Sequence, residues 1–170
     1  NYSADSPAKG KAACKDRLQE KVGLPGRRDV PLFGMISRLT DQKGFDLICE
    51  AAGEFLKFDM QRCVLGSGEA IFEKRMRDLA REHPERVALA IGFDDRLAHE
   101  IEAGSDIYLM PSRFEPCGLN QMYSLAYGTS PVVHAVGGLA DSVIDCTAES
   151  LAERLATGFQ FHEHSHAAFQ

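Results

Sequence analysis

The sequence lacks the features that mark membrane-spanning and secreted proteins. No apolar run approaches the roughly 20 residues that cross a bilayer, and no charged-then-apolar leader with a small-residue cleavage site is present. Tryptophan is absent, and only 8% of the 170 residues are aromatic. We therefore expect neither a membrane span nor a retained signal peptide, and the length suffices for one globular domain with a substantial core.

Signals of a disulfide framework or a metal site are also missing. The five cysteines are odd in number, widely spaced and include no CxxC pair: Cys14, Cys49, Cys63, Cys117 and Cys146. Histidines alternate near the end of the chain, at His162, His164 and His166, but an isolated tract of this kind is weak support for a metal. We predict reduced thiols in a reducing compartment, no bound metal and no cofactor.

Basic residues are scarce in the second half of the sequence. The chain carries 25 acidic and 19 basic residues, a net charge of -6, which argues against a nucleic-acid backbone as the main partner. From Phe114 onward there are six acids and one base, Arg154. An anion bound by that half must therefore rely on backbone amides at helix starts or on basic side chains from earlier in the chain.

Short apolar runs alternate with helical patterns from residue 31 onward. The runs are continuous, which is typical of strands buried on both faces, and they occupy residues 32–36, 63–65, 87–91, 107–110 and 131–136. This alternation predicts an α/β fold, a doubly wound parallel sheet of the Rossmann-like kind. We assign residues 1–30 to a linker and an initial helix, and residues 31–170 to the sheet domain. Ligands of such sheets bind at the carboxyl ends of the strands.

Two helical patterns between the strands are clear. The first predicts one helix with six apolar side chains on one face: Leu47, Ile48, Ala51, Ala52, Phe55 and Leu56. The second covers residues 71–80 and directs Ile71, Phe72 and Met76 inward, together with Leu79 and Ala80. Both predict helices that pack one side against the sheet.

The segment after the first predicted strand carries two cations. Arg38 and Lys43 lie five residues apart, and Gly44 follows where the next helix begins. Arginine offers a planar fork of donors to phosphate oxygens and lysine adds a mobile charge, so the pair suits a diphosphate. The alternative is two solvated loop charges.

The segment after the fourth predicted strand is the richest in chemistry. Residues 111–121 (PSRFEPCGLNQ) hold Glu115 on a rigid loop between two prolines, before a helix that begins near Leu119. The amides around Leu119 and Asn120 lack helical partners and form an anion site. Glu115 beside such donors is either a functional carboxylate or a capping acid.

Glycine turns follow the second and fifth predicted strands. Gly66 and Gly68 suggest a dinucleotide-binding turn, but the third glycine of that fingerprint is replaced by Ile71, so a tight strand-to-helix turn is the better interpretation. Gly137 and Gly138 supply either a second amide contact to a ligand or a plain turn.

One aromatic side chain follows the third predicted strand. Phe93 lies just before Asp94, which we predict to be the N-cap of the next helix. The ring is placed to stack on a nucleobase or, equally, to act as a helix staple in the core.

Four segments in a fixed order resemble a known family. They are residues 37–44 (SRLTDQKG), 111–121, 127–129 (YGT) and 137–141 (GGLAD). Together they closely resemble the C-terminal half of bacterial glycogen synthases and plant starch synthases. The resemblance implies one domain of a GT-B glycosyltransferase, in which a nucleotide sugar, usually ADP-glucose, lies between two doubly wound domains. It implies that glucose passes to the non-reducing end of an α-1,4-glucan with retention of configuration and without a metal.

The resemblance also implies roles for individual residues. Arg38 and Lys43 would neutralise the diphosphate and help it leave, and Glu115 would contact the donor glucose. Backbone amides would line the phosphate and sugar site at Cys117, Gly118, Leu119 and Asn120. Phe93 falls where the family commonly has an aromatic residue against the adenine.

The family's N-terminal half, with its glucan-binding surface, is not in this sequence. We therefore expect a domain that binds ADP or ADP-glucose and does not turn over alone, with a cytoplasmic location, or a plastid one in a plant. Neither nucleic acid nor a membrane is an expected partner. Three alternatives stay open: another GT-B transferase that uses a UDP-sugar, a non-catalytic nucleotide-binding module, and a NAD-binding oxidoreductase domain.

Overall fold

A computed structural model describes residues 7–169, which form a parallel sheet flanked by helices. The first half runs α1 (Pro7–Val22), β1 (Leu32–Ile36), a 3-10 turn (Asp41–Lys43), α2 (Phe45–Glu50), α3 (Ala52–Phe55), β2 (Gln61–Gly66), α4 (Ala70–Glu82) and β3 (Val87–Ile91). The second half runs α5 (Asp95–Gly104), β4 (Ile107–Met110), α6 (Asn120–Ala126), β5 (Ser130–His134), α7 (Gly137–Ser142), α8 (Ala148–Ala152), β6 (Phe159–Phe161) and α9 (His166–Phe169). The six strands pair in parallel in the order β3-β2-β1-β4-β5-β6.

This strand order confirms the predicted doubly wound sheet and locates its crevice. The order of the strands reverses between β1 and β4, which pair through Phe33 with Ile107 and Gly34 with Tyr108. Connections that follow β1 and β4 therefore leave on opposite sides of the sheet and open a space at the carboxyl ends of these strands. A side chain at position 34 would overlap Ser105 of the helix behind the sheet, so glycine allows β1 and α5 to approach closely.

Continuous apolar strands produce two cores, one on each face of the sheet. Because neighbouring residues of a strand point to opposite faces, Cys63 and Leu65 pack with Leu18 and Ile101 on one side, whereas Val64 packs on the other. All six residues of β2 are buried. The continuous hydrophobic runs are thus explained by burial on both faces.

Most strand boundaries match the sequence pattern. The strands β1, β3 and β4 have the predicted bounds, and β2 begins two residues earlier, at Gln61. The fifth strand was predicted to reach residue 136 but ends at His134, because the Val136 amide turns back to the His134 carbonyl at 2.8 Å. The short edge strand β6 was not predicted.

Two details of the helical predictions were wrong. The single helix predicted over residues 47–56 is divided at Ala51 into α2 and α3, beside Gly53, whose helix propensity is low. Ile71 does not point inward: its exposed fraction is 51%, because the buried stripe of α4 runs through Phe72 and Met76 and leaves Ile71 at its edge.

The described part of the predicted linker segment packs against the domain. Leu18 of α1 is buried against α5, and the buried Lys15 ammonium contacts Asp106 at 2.7 Å. Lys11 donates to the Ala103 carbonyl at 3.1 Å and to the Thr129 hydroxyl. From Pro7 onward the structure therefore does not separate α1 from the sheet domain. Within residues 7–169, no helix has both the length and the hydrophobicity needed to cross a bilayer.

Candidate functional site

A cavity of about 330 Å³ opens at the carboxyl ends of β1 and β4. Its lining includes six of the side chains or amides singled out in the sequence: Arg38, Lys43, Glu115, Gly118, Leu119 and Asn120. The other two, Phe93 and Cys117, are not part of this lining. A larger cavity of about 480 Å³ lies between α1, α5 and α6 and contains none of the eight. The fold thus brings six of the eight candidate residues together in one crevice.

Close backbone packing joins the loops that follow β1 and β4. Gly44 has a φ of 78°, and a side chain there would overlap the Pro111 carbonyl, so only glycine lets the two loops approach. The Arg113 amide donates to the Gln42 carbonyl at 2.9 Å, and the Arg113 guanidinium pairs with Asp46. These contacts hold the loop of Lys43 against the loop of Glu115.

Arg38 is largely available to a ligand. Its guanidinium donates to the Gln42 side-chain oxygen at 3.3 Å, which is a long contact to a neutral group. No carboxylate of the described residues pairs with it. The guanidinium can therefore offer most of its donors to a phosphate in the cavity.

Lys43 is not a free cation. Its ammonium pairs with the Glu115 carboxylate, and the two side chains are only 19% and 11% exposed. The Ser112 hydroxyl also donates to Glu115, at 3.4 Å. This ion pair between the two loops was not anticipated from the sequence, since a separation of 72 positions conceals the contact.

Glu115 does not cap the following helix. The N-cap position of α6, Leu119, has no side-chain cap, and the Glu115 carboxylate is engaged by Lys43 and Ser112 instead. The alternative of a capping acid is therefore wrong.

Two histidines that the sequence did not assign to this site hold its loop. His134 shares a hydrogen bond with the Ser112 carbonyl at 2.8 Å, and His164 with the Pro111 carbonyl at 3.0 Å. Their rings meet edge to face, 5.1 Å apart. The sequence did contain one signal for His134: it is a polar residue at the carboxyl end of an apolar strand, where ligands of such sheets bind. Among the described residues, no group of three or more histidine, cysteine, aspartate or glutamate side chains is arranged to hold a metal.

The glycine turn after β5 supports the same loop. The Gly138 amide donates to the Glu115 carbonyl at 3.0 Å. A side chain at Gly138 would overlap the Cys117 carbonyl, and one at Gly137 would overlap that of Glu115. The Gly138 amide is therefore engaged by the protein, which at this residue favours the alternative of a plain turn over an amide contact to a ligand.

The start of α6 presents backbone donors without partners. The amides of Leu119, Asn120 and Gln121 donate no hydrogen bond within residues 7–169. The Asn120 side chain is engaged, donating to the Ile36 carbonyl at 3.1 Å and to the Tyr108 hydroxyl at 2.8 Å. Burial raises the pKa of Tyr108, so this hydroxyl stays protonated. The amides are thus held against the end of β1 by a buried polar network.

Phe93 lies apart, at the end of β3. Its ring is 92% exposed, so the alternative of a core staple is wrong. Asp94 caps α5 as predicted, accepting from the Leu97 amide at 2.8 Å.

The turn after β2 is a packing device. A side chain at Gly66 would overlap the Ser37 carbonyl, and the Leu39 amide donates to the Ser67 carbonyl at 3.0 Å. The interpretation as a tight turn is confirmed, and the turn positions the loop that carries Arg38.

Comparison with known proteins gives consistent matches along the whole chain. The model of the family described as glycosyl transferases group 1 matches residues 16–170. The glycogen synthase of Nitrosospira multiformis is 56% identical over 169 residues, which are 99% of this chain and 34% of that protein. The glycogen synthase of Anaeromyxobacter dehalogenans is 58% identical over 156 residues, or 92% of this chain and 32% of that protein.

Among solved structures, the catalytic domain of starch synthase IV from Arabidopsis thaliana, bound to ADP and acarbose, matches with a TM-score of 0.89. The two are 32% identical, and the match covers 99% of this chain and 35% of that one. The chain spans about a third of the length of the relatives it matches.

Proposed function

Because the chain belongs to the glycosyl transferases group 1 family, we propose that it is the donor-nucleotide-binding domain of a retaining glucosyltransferase. The donor is ADP-glucose, and the product is an α-1,4-glucan extended at its non-reducing end. The chain corresponds to a third of its glycogen synthase relatives, so turnover belongs to the full-length protein.

The observation that carries this proposal is the convergence of cations and free amides in one crevice. Arg38 and Lys43 approach from the loop after β1, and the unpartnered amides of Leu119 and Asn120 approach from the segment after β4. Such donors suit a nucleoside diphosphate. They also explain how the second half of the chain, which is rich in acidic residues, can take part in binding an anion.

The same donors suit the reaction. As the bond between glucose and diphosphate breaks, negative charge develops on the leaving diphosphate. Fixed cations and oriented amides interact more strongly with that charge than with the intact donor, so they lower the barrier. Arg38 and Lys43 then act on the leaving group, with no step that requires a metal.

Glu115 is assigned to the glucose. Its carboxylate lies in the same cavity, held by the loop that His134 and His164 fix. A carboxylate accepts hydrogen bonds from sugar hydroxyls and orients the ring at the reacting carbon.

The adenine is assigned to the open edge near Phe93. Its exposed ring is free to stack on a base. The likeness to a starch synthase structure bound to ADP supports an adenine nucleotide. The glucan acceptor is assigned to parts of the protein outside this chain, and the cytoplasmic location stays a prediction.

Calorimetric titration of this chain with ADP, UDP and NADH tests the proposal. We expect ADP to bind selectively and more weakly as salt is raised, because the diphosphate contacts are ionic. Tighter binding of UDP would make the protein a transferase of a UDP-sugar, and selective NADH binding would make it an oxidoreductase domain. Absence of binding by all three would contradict a donor site within this chain.

A further inference from the structure

One carboxylate of the crevice is paired with a cation that the proposed function assigns to the diphosphate. The Lys43 ammonium and the Glu115 carboxylate pair inside the cavity, and both side chains are mostly buried. The same oxygen of the Glu115 carboxylate accepts hydrogen bonds from both the Lys43 ammonium and the Ser112 hydroxyl. A ligand that binds Lys43 must therefore compete with the Glu115 carboxylate for its ammonium.

Arg38 provides the contrast within the same loop. Its partner is the neutral Gln42 side chain, at 3.3 Å. A diphosphate that enters the cavity can bind Arg38 at little cost, whereas it can bind Lys43 only by displacing Glu115. The two cations thus differ in the partner that a phosphate would have to displace.

We infer that Glu115 acts as a built-in competitor for the donor's phosphate, and that Lys43 exchanges Glu115 for the diphosphate when the donor binds. The inference rests on the proposed function, since it names how the proposed diphosphate site is filled. The exchange leaves Glu115 without its cation, beside an anionic ligand, which is costly in a partly buried site. Hydroxyls of the donor glucose offset this cost by donating to Glu115. A nucleoside diphosphate without the sugar does not offset it.

The exchange predicts an unusual effect of neutralising Glu115. In Glu115→Gln the competitor is removed while the shape of the side chain is kept, so Lys43 is free. We expect ADP and inorganic pyrophosphate to bind this variant about threefold to tenfold more tightly than they bind the wild type, the scale of a partly exposed ion pair. ADP-glucose should gain less than ADP, because the variant also loses an acceptor for the sugar.

Two further variants separate the exchange from a general change of charge. Asp41→Asn removes one negative charge two residues from Lys43; this carboxylate accepts from the Gln42 amide and pairs with no cation of the described residues. In Lys43→Gln there is no cation to release. We expect no comparable gain in Asp41→Asn. We expect a smaller gain when Glu115→Gln is added to Lys43→Gln, because only the repulsion between Glu115 and the phosphates is then removed.

The measurement is calorimetric titration of the whole chain with ADP, ADP-glucose and pyrophosphate, after circular dichroism has shown that each variant is folded. Unchanged or weaker ADP and pyrophosphate binding in Glu115→Gln would overturn the inference, as would a gain that is equally large in the Lys43→Gln background. If Glu115→Gln does not fold, Glu115→Ala takes its place in both backgrounds, with the same expected and contradicting outcomes.

The two proposals can fail separately. If the wild type binds no nucleotide while Glu115→Gln gains pyrophosphate binding, the exchange stands and the proposed donor site fails. If neither chain binds ADP or pyrophosphate, both are overturned.

Discussion

Two cations of one short loop reach the same cavity in different surroundings. The Arg38 guanidinium donates to the neutral Gln42 amide, whereas the Lys43 ammonium pairs with a carboxylate from the opposite loop. Their spacing in the sequence predicted a diphosphate clamp, and the cavity contains both. The sequence could not predict the partner of Lys43, because an ion pair across 72 residues depends on the strand order of the sheet.

At this scale, we expect Arg38→Ala to weaken ADP binding by about 1.5–3 kcal/mol, the value of hydrogen bonds to a charged group. Arg96→Ala is the matched control, because Arg96 pairs with Glu100 outside the crevice and its loss changes the net charge equally. Titration of both variants at one salt concentration gives the comparison. Equal weakening in the two would remove Arg38 from the site.

At the scale of elements, the hydrophobic pattern of the sequence predicts the longer strands but not the elements that depend on packing. The strands β1, β3 and β4 could be predicted to the residue, because each is a short apolar run bounded by a polar residue on one side and by proline or glycine on the other. The three-residue β6 could not, because Phe159 is half exposed and so short a run has no pattern of its own. The division of the predicted 47–56 helix had one local signal, the low helix propensity of Gly53, which the apolar stripe outweighed in the prediction.

Glycine turns were predicted as turns, but their partners were not. Gly138 abuts the loop of Glu115, and Gly66 abuts the loop of Arg38. Such contacts join segments that are distant in sequence, so only the folded chain reveals that these turns shape the cavity.

The packing of Gly138 leads to a stability prediction. In Gly138→Ala the new methyl group would overlap the Cys117 carbonyl, so we expect the free energy of unfolding to fall by about 1–3 kcal/mol and ADP binding to weaken as the loop shifts. Urea unfolding and ADP titration measure the two effects.

Gly53→Ala is the control for this change. It adds the same methyl group within α3, where nothing lies within 4 Å, and it should stabilise the chain by about 0.4–1 kcal/mol. A Gly138→Ala variant as stable as the wild type would contradict the described packing.

At the scale of the whole molecule, α1 is attached to the sheet through one buried and one half-buried lysine, Lys15 and Lys11. Lys15 pairs with Asp106, whereas Lys11 donates to the Ala103 carbonyl and the Thr129 hydroxyl and contacts no carboxylate within residues 7–169. Burial lowers the pKa of Lys11 from 10.5 to about 8, partly opposed by the charge of Asp106.

This lowered pKa gives the contribution of Lys11 to stability a definite dependence on pH. Between pH 8 and 10.5 the unfolded chain holds the Lys11 proton and the folded chain does not, so this contribution rises as pH is raised through that window. We expect the free energy of unfolding of the wild type, measured relative to that of Lys11→Met at the same pH, to be higher at pH 10 than at pH 7.

Comparison of variants at each pH cancels groups that act in the opposite direction. Burial raises the pKa of Cys63 to about 12, which lowers stability at high pH in every variant. Lys9→Met, on the exposed surface of α1, should not reproduce the shift of Lys11→Met. A difference between wild type and Lys11→Met that stays level with pH would contradict the burial of Lys11.

The close fit of Gly137 and Gly138 against the loop of Glu115 has a consequence for how such a protein can evolve. Two segments far apart in the chain share one volume, so a mutation that adds a side chain to either turn survives only alongside a compensating change in the other segment. A chimaera whose turn comes from a relative with a side chain at either glycine position, and whose Glu115 loop comes from this chain, would therefore contain the collision and lose the crevice.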